Sequence, residues 1–145
     1  MSTARFTVHS SLAPSDVLTL LTDFGPDRAR RWPNIDAAHF QVHDQGDGWA
    51  EVTEGNGMGW ERERYAWDPA SGVVTVDTVD SNLWGPGSSW HYDLEPAGSG
   101  TDVHVTLQRV PKSLRGRLIG ALFPLVGART LGRQLEAVLR HAESR

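Results

Sequence analysis

The 145-residue chain contains no cysteine at all. That one absence removes disulfide frameworks, thiolate zinc sites and cysteine nucleophiles together. Methionine and tyrosine are scarce, two of each. No apolar run approaches the ~18 residues that a membrane-spanning helix needs. Residues Met1 to Arg5 lack the charged-then-apolar pattern of a secretory leader, so the expectation is a cytoplasmic protein without stable membrane insertion. A net charge of -4 argues against a nucleic-acid partner.

What is present is one domain's worth of chain, residues 1-145, long enough to bury a core without staples. Charge is distributed unevenly. From residue 112 onward, seven basic side chains face only Glu136 and Glu143, and the acidic excess lies in the rest of the chain. This basic segment is expected to be a solvated helix face, with weak surface contact to anionic lipid or another protein as the alternative.

Phe6 and Val8 alternate with polar neighbours as in a half-buried strand over Arg5 to Ser10. Pro14, with Ser15 or Asp16 as cap and Val17, Leu18, Leu20 and Leu21 behind it, starts a short helix. A second short helix is expected from Pro26 to Trp32, where Pro33 stops it. Six strands then fit between turn clusters, near 36-44, 48-54, 58-67, 73-80, 87-95 and 102-110. The connections are too short for parallel crossovers, so neighbours are antiparallel. Alternation groups Phe40 with Val42, Ala50 with Val52, Val74 with Val76, Trp90 with Tyr92 and Leu94, and Val103 with Val105 and Leu107 on one covered face.

A stripe of Leu118, Ala121, Leu122, Leu125, Ala128, Leu131, Leu135, Val138, Leu139 and Ala142 predicts a long C-terminal helix over 112-143 that covers this face. Pro124 predicts a kink at 120-124, or a short helix before a longer one. Gly116, Gly120, Gly127 and Gly132 weaken the helix, which close packing or a mobile mouth would explain.

This order, together with Phe6-Thr7-Val8, Ala13 to Val17, Trp32-Pro33, Trp67-Asp68-Pro69, Trp90 to Pro96 and Gly100 to Val103, resembles the START-like and Bet v 1-like helix-grip superfamily. Within it, the chain is similar to bacterial polyketide cyclase/dehydrase and lipid-transport-like members. The resemblance implies an α+β helix-grip fold: a seven-stranded curved antiparallel sheet wrapped around the C-terminal helix, with two short helices after strand 1. It also implies an internal cavity for a small hydrophobic or amphipathic ligand such as a lipid, polyketide or quinone.

Carriage or sensing of such a ligand is the expected function. A polyketide cyclase or dehydratase, and a protein- or membrane-interaction module acting through the basic helix, are the alternatives. Expected ligand-binding residues are Phe40, Val52, Trp60, Glu61, Arg62, Glu63, Arg64, Val76, Trp90, Tyr92, Val105, Leu122 and Leu125. Residues 60 to 67 leave open which parity faces inward, Glu61 with Glu63 or Arg62 with Arg64. Either pair would need compensation in an apolar cavity. Cyclase chemistry would need a cation or hydroxyl to stabilise an enolate, and a base; Arg62, Arg64, Tyr92, His91 and His104 are candidates by residue type. His91 falls on the polar face, opposite Tyr92. His39 and His43 stand about 13 Å apart along a strand, too far to share an ion, and neither a metal nor a cofactor is expected. A monomer or homodimer fits the pattern.

Overall fold

The computed structural model describes residues 2–122 and 126–144. The chain runs β1 (Ser2–Ser10), α1 (Pro14–Leu21), α2 (Arg28–Arg31), a 3-10 turn (Ala37–His39), then β2 (Gln41–Gly46), β3 (Trp49–Gly55) and β4 (Trp60–Asp68). It continues with β5 (Val73–Ser81), β6 (Ser89–Ala97), β7 (Gly100–Arg109), α3 (Leu114–Leu122) and α4 (Ala128–Glu143). The seven strands form one antiparallel sheet in the order β1-β7-β6-β5-β4-β3-β2. Only β1 breaks the sequence of neighbours. It returns to pair with β7 from Ser2 opposite Arg109 to Ser10 opposite Thr101, and so closes the short helices and α4 against one face. This is the helix-grip α+β architecture.

Several boundaries moved for local reasons. Pro14 occupies the first turn of α1 as expected, but Ala13 caps it in extended conformation and no side chain does. The strand expected at 36-44 starts later, because the Asp36 side chain accepts from the His39 backbone N–H and turns residues 37–39 into a 3-10 helix. The C-terminal helix is two segments, α3 and α4, with Val126 and Gly127 entering α4 through a wider π-type turn. The expected kink at Pro124 lies outside the described residues.

The core follows the predicted alternation. Ala50, Val52, Val74, Val103 and Leu107 are fully buried. Leu135, Val138 and Leu139 of α4 seal them, each at about 1.5–3 kcal/mol of burial. Leu118 departs from the predicted stripe, since α3 leaves it 65% exposed beside the exposed Leu114. Gly116 is where close packing demands glycine, for a Cβ there would stand 2.3 Å from the Leu83 carbonyl oxygen. Among the described residues no helix is long and apolar enough to cross a membrane.

Candidate functional site

Between α4 and the concave face of the sheet lies a cavity of about 440 Å³, within the range of small-molecule sites. Its apolar side is made by Phe6 of β1, Trp90 of β6, and Leu131 and Leu135 of α4. The rings of Trp90 and Tyr92, two residues apart on one strand face, are parallel within 4° at 6.1 Å between centroids. Asn56, Met58 and Gly59 of the β3–β4 hairpin, with Leu83 and Ile119, border the other end.

The opposite wall is polar, and its residues follow from strand parity. On β3, Ala50, Val52 and Glu54 point inward in succession. On β4 the inward set is Glu61, Glu63 and Tyr65. The register slips between Arg62 and Glu63, where Arg62 faces Asp80 and Glu63 faces Thr78, leaving Val79 as the extra residue of a bulge. Such a bulge locally twists the sheet and re-aims the side chains beside it.

Arg28, at the start of α2, is 4% exposed and organises this wall. Its Nε donates to Glu54 Oε2 at 2.7 Å and its Nη2 donates to Glu54 Oε1 at 3.5 Å and to the Tyr65 hydroxyl at 3.0 Å. Its Nη1 donates to the Leu21 and Asp23 carbonyls at 3.1 and 3.0 Å, which ties the end of α1 to the sheet. Phe24 stacks 4.6 Å from the guanidinium. The Tyr65 hydroxyl donates in turn to Glu54. A second, part-buried pair stands nearby: Arg109 Nη1 and Nη2 reach Glu61 at 2.5 and 3.2 Å, and Thr78 Oγ1 donates to Glu61 at 2.9 Å.

Glu63 sits between these two pairs, 3% exposed and without a cation within ion-pair distance among the described residues. Burial first, and then the charges of Glu61 and Glu54, push its carboxyl well above the ordinary range despite Arg109. For Glu54 burial also opposes ionisation, but Arg28 outweighs it and holds the carboxylate below its usual value. Glu63 therefore holds its proton to a higher pH than an ordinary carboxyl, hydrogen-bonded to Glu54. Burial also raises the Tyr65 and Tyr92 hydroxyls, so both stay protonated. The Tyr92 hydroxyl makes no hydrogen bond to another described residue; as no fully buried side-chain polar atom among them lacks a partner, it opens onto the cavity.

Of the residues singled out from sequence, Glu61, Glu63, Trp90 and Tyr92 border the cavity. Trp60, Arg62 and Arg64 do not, which corrects the expectation for the other parity. Arg62 pairs with Glu51 at 2.5 Å and Arg64 lies over the Trp49 ring at 4.7 Å, both on the outer face. Trp60 shares that face and, with Phe40 at the core's edge, borders a shallow outer groove. Val52, Val76 and Val105 point inward but are sealed inside the packed core instead of facing open space. The Leu122 side chain and Leu125 lie outside the described residues. His91 and His104 are on the polar face, as alternation required.

Arg28, Glu54 and Tyr65 were missed. Glu54 was legible, as it continues the Ala50–Val52 alternation. Arg28, in a one-turn helix, offered no such signal. On the outer face the cross-strand register also gathers Glu95, Asp102 and His104, whose ligand-type atoms lie within 4.8 Å of one another. His9 bonds Asp102 at 2.7 Å and His104 approaches Glu95 at 3.6 Å, an exposed ladder of cross-strand pairs.

No protein-family model matches the chain, and no curated protein does. Solved structures do. The Zhui aromatase/cyclase from Streptomyces sp. R1128 is similar at TM-score 0.82 and 19% identity, over 99% of this chain and 94% of that one. A START superfamily protein from Mycobacterium smegmatis follows at TM-score 0.69 and 13% identity, over 98% and 99%. The di-domain ARO/CYC StfQ from the steffimycin biosynthetic pathway is matched at TM-score 0.71 and 12% identity, over 99% of this chain and 52% of that one. At these identities the likeness concerns the fold, which is that of START-like and Bet v 1-like proteins.

Proposed function

We propose that the protein binds a small aromatic or amphipathic molecule in the cavity beneath α4, as a carrier or sensor. The observation that carries this reading is the combination of empty space with an unpartnered polar group. About 440 Å³ is walled by aromatic and aliphatic side chains on one side, and the Tyr92 hydroxyl opens onto it without a hydrogen bond to another described residue. A guest's oxygen accepting from this open hydroxyl gains one hydrogen bond, worth about 0.5–1.5 kcal/mol. Parallel Trp90 and Tyr92 rings favour a flat guest.

Native mass spectrometry and tryptophan quenching with 2-naphthol and related hydroxyaromatics test the reading. Saturable binding is expected, weakened about tenfold in Tyr92→Phe through loss of one hydrogen bond. Absence of binding by every planar guest in the panel would sink it.

A second reading, aromatase/cyclase chemistry, is favoured by the protonated Glu63 carboxyl in the cavity wall. A neutral acid can donate a proton to a departing hydroxyl or a developing enolate, and the Zhui structure is described as an aromatase/cyclase. With Arg62 and Arg64 on the outer face, such chemistry would rest on Glu63 and Tyr92. A poly-β-ketone substrate whose product distribution is unchanged by Glu63→Gln and by Tyr92→Phe would rule this out.

A further inference from the structure

We infer that the cavity selects an uncharged ligand bearing a hydroxyl or carbonyl and turns away anions, because every cation in its polar wall is already committed to a protein carboxylate. This rests on the binding function proposed above and adds the charge of what is bound.

Arg28 is the wall's cation in direct contact with the cavity. A guanidinium has five N–H donors. Those of Arg28 go to Glu54 twice, to Tyr65, and to the Leu21 and Asp23 carbonyls, so none remains for a ligand carboxylate. Arg109 is held by Glu61 in a forked pair and covered by the Trp84 and Trp90 rings, each 5.3 Å from its guanidinium. Two cations thus face two carboxylates, and the third carboxyl, Glu63, has no cation of its own.

An anion entering this space would be stripped of water beside Glu54, Glu61 and Glu63 with no positive partner in return. Burial of a charge without a counter-charge is the costliest case of desolvation. A neutral hydroxyl or carbonyl avoids that cost. Tyr92 can donate to it, and the Gln134 amide of α4 borders the same space. A cation could enter only if Glu63 gave up its proton in exchange.

The test is a charge series on one ring system. Binding of 2-naphthol, 2-naphthoate and 2-naphthylmethylammonium to the full chain is measured by calorimetry at neutral pH in two buffers of different ionisation enthalpy. 2-Naphthol is expected to bind without proton exchange, and 2-naphthoate at least tenfold more weakly. 2-Naphthoate within tenfold of 2-naphthol overturns the inference. So does tighter binding of the ammonium with release of one proton, which would make Glu63 a counter-ion. If none of the three binds, the binding function itself falls.

Two variants supply a gain that misfolding cannot imitate. Glu54→Gln should free Arg28, and Glu61→Gln should free Arg109. In whichever variant folds, affinity for 2-naphthoate should rise at least tenfold over the unaltered chain. Unchanged rejection of the anion in a folded variant counts against the inference, and if neither folds the charge series on the unaltered protein decides alone.

Discussion

Replacing Glu63 by glutamine should stabilise the protein, and by an amount that grows with pH. The carboxyl is 3% exposed, and burial together with Glu61 and Glu54 raises its folded-state pKa well above the ordinary value. Once the pH exceeds the ordinary carboxylate range, the unfolded chain has lost this proton while the folded chain keeps it. The folded state then binds more protons than the unfolded state, so stability falls as pH rises. Below that range both states hold the proton and the group contributes no slope.

Within the window each pH unit costs about 1.4 kcal/mol. While the folded carboxyl keeps its proton above the ordinary carboxylate range, the advantage of Glu63→Gln over the unaltered chain should therefore widen by up to about 1.4 kcal/mol with each pH unit. Glutamine has nothing to titrate, and its amide can still donate to Glu54 as the acid does. Urea unfolding followed by tryptophan fluorescence at three pH values gives the difference directly, with the other carboxylates cancelling between the two proteins. Parallel stability curves, separated by a constant, would refute the assignment of a buried proton to Glu63.

Four further outcomes follow from the packing. Arg28→Met strands the Glu54 carboxylate and should cost about 3–5 kcal/mol by chemical denaturation, with part of the loss recovered when Glu54→Gln is added. Leu139→Ala empties a fully buried position of α4 and should lower unfolding free energy by about 2–5 kcal/mol. Gly116→Ala sets a methyl against the Leu83 carbonyl and should cost about 1–3 kcal/mol. Gly57→Ala, with nothing within 4 Å, should change stability by less than about 0.5 kcal/mol; thermal unfolding distinguishes the two.

The sheet was legible in the sequence because strand periodicity and turn chemistry act locally. Gly46 to Gly48, Asp68 to Gly72 and Pro96 to Gly100 each mark a reversal, and the alternating apolar residues between them face one core. What was not legible depends on contacts far apart in sequence. The parity of β4 could not be chosen from Trp60 to Trp67, since both faces carry charges and aromatic rings. It is decided by pairing with β3, where Glu63 falls opposite the fully buried Val52. Arg28 is meaningful only because β3 and β4 bring Glu54 and Tyr65 to it across 26 and 37 residues. Valine positions such as Val76 and Val105 were read correctly as inward, but a short side chain deep in a packed layer does not reach the cavity.

The six tryptophans provide the most direct test of the central claim, because each indole N–H is a separate reporter at a known place. In a 1H–15N titration with 2-naphthol, saturable shifts are expected at Trp90 and Trp32, which border the cavity, with Trp49 on the outer face unmoved. Shifts confined to Trp60 beside the outer groove, or no shift at all, would contradict it.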